Sequence, residues 1–150
     1  MEFAKKILFP VDLSEVSPKI APYVQEMAAK FGSEVHLLFV ARILQHFTSI
    51  YVPHPSVSNF EGEIVKGAER KLEEFVEDHF RGFSPKAKVV LGDPAEEILS
   101  YVRSEGIDLV IMGTHGRKGL EKIVFGSVVE RVVQKSPVPV LTINPYSKAA

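Results

Sequence analysis

The 150-residue sequence contains no cysteine and no tryptophan. Without thiols, disulfides, thiol nucleophiles and cysteine-ligated zinc are all excluded. An excess of one charge is missing too. The 18 Lys and Arg against 19 Asp and Glu leave a formal net charge of −1, so nothing in the balance calls for a nucleic-acid or membrane-surface partner. No apolar run approaches the roughly 20 residues of a membrane span. Internal repeats, low-complexity tracts and linkers are lacking, as are a nucleophile elbow G-x-S-x-G and any pair of carboxylates set apart as acid and base. His36, His46, His54 and His79 show no metal-ligand spacing. Met1–Lys6 leads straight into a strand-like run with no secretory h-region, and a cytoplasmic location is expected.

What is present is an ordinary globular composition, 45% apolar and 25% charged, sized for one domain over residues 1–150. Ile7–Asp12 opens as a short, continuous apolar run, the mark of a strand covered on both faces. Ser17-Pro18 starts a helix, with Ser17 as the expected cap, and Gly32 closes it. Val35–Val40 is a second strand. Arg42–Ser58 has no period and reads as a long loop, a lid or partner contact. From Asn59 to Phe80 the residues Ile64, Ala68, Leu72, Phe75, Val76 and His79 mark an amphipathic helix with an acidic outer face. Lys86–Leu91 is a more polar strand near a sheet edge, and Asp93-Pro94 caps a third helix that ends at Gly106. Ile107–Met112 is the fourth strand. Ser127 and Glu130 form a capping box for a fourth helix. Pro137–Ile143 is a fifth strand, confined to an edge because its prolines cannot donate to a ladder. Such alternation predicts an α/β fold, a three-layer open sheet of five parallel strands with four helices.

Ligands of such sheets bind beyond the carboxyl ends of the strands. Two of those ends carry chemistry, Asp12 after the first strand and Gly113 after the fourth. Gly113, Gly116, Gly126 and Ser127 have the spacing G-x2-G-x9-G-S. Glycines let a ligand approach the backbone and can form an anion-binding nest. Gly126-Ser127 stands at a helix start, where unpaired N–H groups and the dipole favour phosphate. No Gly-Lys-Ser/Thr follows, and residue 114 is Thr where a dinucleotide fingerprint needs Gly, so neither common phosphate loop applies. Arg117, Lys118, Lys122, Arg131 and Lys135 add a small positive field suited to a small anion. Each residue has a plainer reading. The glycines serve a tight connection, Ser127 caps its own helix, Asp12 holds a turn beside Ser14, and His115 is an exposed loop histidine.

These segments resemble the universal stress protein family, and the similarity runs from Lys6 to Asn144. It rests on Pro10-Val11-Asp12-Leu13-Ser14-Glu15, on Gly92-Asp93-Pro94, and above all on Asp108–Gly116 continuing to Gly126-Ser127. The glycine spacing is that of the family's ATP-binding branch. The resemblance implies a Rossmann-like sheet of order 3-2-1-4-5, which puts Asp12 and Gly113 together where the order reverses. It implies ATP with magnesium or manganese held mainly through the phosphates. Pro10, Val11 and Asp12 would line the adenosine end, Val40 would meet adenine through its backbone, and Met112 and Gly113 would lie beside adenine and ribose. His115 and Gly116 would stand near the phosphates, and Gly126, Ser127 and Val128 would hold them. It also implies a homodimer through the last strand, Val140–Ile143.

The expected function is that of an ATP-binding regulatory or stress-response protein whose nucleotide alters the surface offered to a partner, with at most slow hydrolysis. The alternatives are a slow ATPase or adenylyl-transfer enzyme, and a protein-binding scaffold whose pocket is empty or holds another nucleotide. No residue is an obvious base beside the phosphates, which efficient phosphoryl transfer needs.

Overall fold

A computed structural model describes residues 3–42, 54–115 and 126–147, and for 54–58 the backbone alone. The strands are β1 Lys6–Pro10, β2 Glu34–Ala41, β3 Lys86–Leu91, β4 Leu109–Gly113 and β5 Val140–Ile143. The helices are α1 Ser17–Phe31, α2 His54–His79, α3 Pro94–Glu105 and α4 Ser127–Lys135. All pairings are parallel, in the order β3-β2-β1-β4-β5, so the order reverses between β1 and β4 as expected.

The apolar runs sort by the two-residue period of a strand. Ile7, Phe9, Val35, Leu37, Leu109 and Ile111 pack against α1 and α2 through Ile20, Val24, Leu72 and Phe75. Leu8, Leu38, Val110 and Met112 take the other face, under Ile98 and Val102 of α3 and Val129 and Val132 of α4. Burying such a side chain contributes about 1.5–3 kcal/mol, and both faces of the central strands do so. The result is three layers.

The local signals held where their partners are backbone. Gly32 and Gly106 end α1 and α3 in the left-handed conformation, at φ 62° and 65°. Asp93 caps α3 by accepting the Glu96 N–H at 3.0 Å. Other boundaries moved. His54–Ser58, expected to be loop, already belongs to α2, and the rest of that expected loop beyond Arg42 lies outside the described residues. The Ile107 N–H returns to the Val102 carbonyl at 3.1 Å, so Ile107 finishes the turn after α3 and β4 starts at Leu109. The prolines delay β5 to Val140, although the Pro139 carbonyl still accepts from the Val110 N–H at 3.0 Å.

At the amino-terminal end of the sheet the polar groups satisfy one another. The Asp108 carboxylate accepts the Lys6 N–H at 2.9 Å. His36, wholly buried on β2, lies between Glu34 (Nε2 to Oε1, 2.6 Å) and Tyr101 (Nδ1 to Oη, 2.7 Å). The Glu34 carboxyl is held below its usual range, first by Lys86 and then by His36. Burial, with Glu105 and Glu34 nearby, pushes the Tyr101 hydroxyl up to about 12. Tyr101 therefore keeps its proton at neutral pH, and the His36 ring bridges the Tyr101 hydroxyl and the Glu34 carboxylate.

Candidate functional site

The other end of the sheet is open. Beyond the carboxyl ends of β1, β2 and β4 lies a cavity of about 960 Å³, near the top of the roughly 300–1,000 Å³ typical of small-molecule sites. Pro10, Val11, Asp12, Val40, Met112, Gly113, His115, Gly126, Ser127 and Val128 all line it. Gly116, the remaining sequence-predicted site residue, lies outside the described residues. The fold thus gathers ten positions spread over more than a hundred residues into one concavity.

Asp12 leaves β1 into a sharp turn. Its Oδ1 accepts from the Ser14 N–H (3.0 Å), the Ser14 hydroxyl (2.7 Å) and the Ser17 hydroxyl (2.8 Å). Leu13 is held at φ 59°, a left-handed conformation costing a residue with a Cβ about 1–2 kcal/mol. Such strain persists only where the surroundings over-determine it, and here it falls in the turn that carries Asp12 on the cavity lining. The turn role foreseen for Asp12 is real and occupies Oδ1. Among the described residues, Oδ2 accepts no hydrogen bond. Ser17 corrects its expectation: α1 begins at Ser17 itself, after Val16, with no side-chain cap, because the Ser17 hydroxyl is committed to Asp12.

A second correction falls on α4. The expected capping box between Ser127 and Glu130 does not form. Gly126 is the cap position, no side chain caps the helix, and Ser127 is its first residue. The Glu130 N–H bonds to the Gly126 carbonyl, which leaves the N–H groups of Ser127, Val128 and Val129 without intrahelical acceptors. All three residues line the cavity. The Gly126 N–H reaches back to the Thr114 carbonyl at 3.3 Å, which ties this helix start to the end of β4. A Cβ built on Gly126 would meet nothing within 4 Å; one on Gly113 would press on Ile20 and the His115 carbonyl at 3.2–3.3 Å. Gly113 is small for packing, while Gly126 has no such neighbour among the described residues.

His115 is buried rather than exposed. Its Nδ1 pairs with the Thr114 hydroxyl at 2.8 Å and its ring meets Tyr146 edge-on at 5.2 Å. Arg131 also departs from its expected place in a positive field for an anion. Its guanidinium grips Asp93 at 3.0 and 3.2 Å and fastens α4 to α3. Backbone capping by Glu96, then the charges of Arg131 and Arg42, hold the Asp93 carboxyl below its usual range. Arg117, Lys118 and Lys122 lie outside the described residues, and Lys135 does not line the cavity.

One wall was missed by sequence reasoning. Ile64, Gly67, Ala68 and Lys71 of α2 line the cavity, at a spacing that puts them on one helix face. Ile64 and Ala68 were assigned to a core-facing stripe, and the available signal was Gly67, a glycine inside a strongly helical pattern. Asp12 and Glu63 are the carboxylates on the cavity lining. Among the described residues, no three His, Asp or Glu side chains gather to hold a metal, and no helix is long and apolar enough to cross a membrane.

The sequence profile of the universal stress protein family matches residues 4–144. Universal stress protein MJ0577 of Methanocaldococcus jannaschii is 34% identical over 93% of this chain and 94% of its own. Universal stress protein YxiE of Bacillus subtilis is 30% identical over 93% and 98%. A solved structure of hypothetical protein MJ0577 superposes with a TM-score of 0.82 at 32% identity, over 99% of both chains.

Proposed function

The chain belongs to the universal stress protein family, and from that premise we propose that it is an ATP-binding regulatory protein. The observation that carries the reading is the uncapped start of α4. Three N–H donors, the Ser127 hydroxyl and a glycine at the cap position stand together on a cavity wall. That donor set suits phosphate oxygens, since aligned N–H groups and the helix dipole favour negative charge there. The second feature is the mixed lining toward β1 and β2. Val11, Val40 and Met112 offer apolar surface for a base, and Asp12 keeps Oδ2 for a ribose hydroxyl.

The residues present fit such a ligand. Gly126, Ser127 and Val128 would hold the phosphates through N–H groups and one hydroxyl, with Gly116 beside them. Pro10, Val11 and Asp12 would position the nucleoside, Val40 would address adenine through its backbone, and His115 would stand near the phosphates. Magnesium or manganese would ride on the phosphates and supply charge neutralisation. ATP in this reading is a ligand that changes the surface shown to a partner, with hydrolysis at most slow. The whole sequence acts as one nucleotide-binding domain.

The sheet ends at β5, which pairs with β4 alone among the described residues and carries a partly exposed Leu141. A second copy pairing along Val140–Ile143 would cover that edge, and the working form is a homodimer. Acid extraction of the purified protein, followed by chromatography, is expected to release adenine nucleotide, and Mg-ATP to raise the melting temperature. An empty extract with no thermal shift sinks the proposal. Single-turnover hydrolysis at high protein concentration separates binder from enzyme.

A further inference from the structure

The helix α2 is longer than the sheet it covers. Its 26 residues span about 39 Å, against about 20 Å for a six-residue strand. Its lower half is ordinary core, with Leu72 and Phe75 packed among Phe9 and Phe80. Its middle turns Ile64, Gly67, Ala68 and Lys71 onto the cavity. Gly67 stands in the middle of this helix, where glycine is unfavourable relative to alanine. Packing among the described residues does not require it, because a Cβ at Gly67 would meet none of them within 4 Å. Among the described residues, the helix therefore keeps a destabilising residue that faces the cavity and packs against no other side chain.

We propose that α2 is the third wall of the ligand site and that Gly67 sets its clearance, making this residue the determinant of which nucleosides the cavity admits. The proposal rests on the nucleotide reading above. Layering assigns the part of the ligand concerned. The open helix start lies with α3 and α4 on one face of the sheet, whereas α2 lies with α1 on the other. A ligand with phosphates at Ser127 therefore turns its nucleoside, and not its phosphates, toward α2. Ile64 and Ala68 beside Gly67 on the helix, with Leu13 on the same cavity lining, offer apolar surface that suits the flat face of a base or sugar.

Two variants test this by calorimetric titration with AMP and ATP, alongside thermal melting of the free protein. Gly67→Ala is expected to raise the melting temperature by about 2–4 °C and to leave both affinities within about threefold. Gly67→Leu, also a good helix former, is expected to melt no lower than the unmodified protein. It should weaken AMP and ATP by the same factor, at least about tenfold, because the side chain meets the shared nucleoside. Unchanged affinity in Gly67→Leu overturns the proposal while leaving ATP binding intact. So does a loss confined to ATP, which puts α2 beside the phosphates, or a fall in melting temperature, which makes Gly67 a packing residue. If the unmodified chain binds neither nucleotide, both this inference and the reading beneath it fall.

Discussion

Two helices start side by side over the same face of the sheet, and they start differently. The first turn of α3 is closed: Asp93 accepts from Glu96, Arg131 neutralises Asp93, and Glu96 and Glu97 complement the dipole. The first turn of α4 has glycine at the cap position, no capping side chain and a cavity in front of it. A glycine at the cap position costs only about a few tenths of a kcal/mol relative to a capping Asp, so the difference separates a terminus closed for the fold from one kept open for a ligand at little cost in stability. The two ends of the sheet repeat the contrast. Polar groups at the amino end are paired with each other, and those at the carboxyl end line a cavity.

Closing α4 in the manner of α3 has the largest expected effect. Gly126→Asp supplies a capping carboxylate at a backbone conformation (φ −60°, ψ 152°) that any residue adopts. Stability should hold or rise by a few tenths of a kcal/mol, while ATP affinity falls about 100-fold, or about 2.7 kcal/mol, as measured by calorimetry. Normal binding by that variant would falsify the phosphate assignment. At the paired end, Tyr101→Phe removes the hydroxyl partner of His36 and leaves a buried ring nitrogen unsatisfied. The expected cost is about 1–3 kcal/mol in urea unfolding, with nucleotide affinity unchanged. A shift in affinity there would mean the two ends are coupled.

Opening α3 is the reciprocal change. Asp93→Ala should destabilise by about 1 kcal/mol through loss of the cap, and ATP affinity should stay within about twofold; a larger loss of binding would mean that α3 also serves the ligand. The smallest effects are those of pH. The folded Asp93 carboxyl lies below its ordinary value, so its contribution is full above the unfolded pKa and disappears as pH falls through the folded one. Asp93→Asn should flatten the acid limb of stability. Tyr101 shifts the other way: with its folded pKa raised to about 12, its contribution is full below about 10 and is lost as pH climbs through the folded value. Tyr101→Phe should remove that part of the alkaline loss.

Much of this was legible in order along the chain. Continuous apolar runs announced strands buried on both faces, β3 was bounded to the residue, and Gly32, Gly106 and Asp93 acted as read. Ser17 and Ser127 were misjudged for one reason. A hydroxyl at a helix start has a local partner by default, and only the fold reveals that Asp12 claims one while a cavity faces the other. Arg131 failed similarly, because proximity in sequence to other cations says nothing about the carboxylate that α3 brings beside it. The face of α2 was found, but its period cannot distinguish a core from a cavity, since both demand small or apolar side chains.

The sequence by itself determined the alternation of elements, the family and the residues at the strand ends, because these depend on local periodicity, turn chemistry and spacing. Tertiary structure alone decided which polar groups are consumed by the fold and which remain free to meet a ligand. That division depends on partners the fold supplies, from Asp12 beside Ser17 to Asp108 beside Lys6, and periodicity along the chain does not encode it.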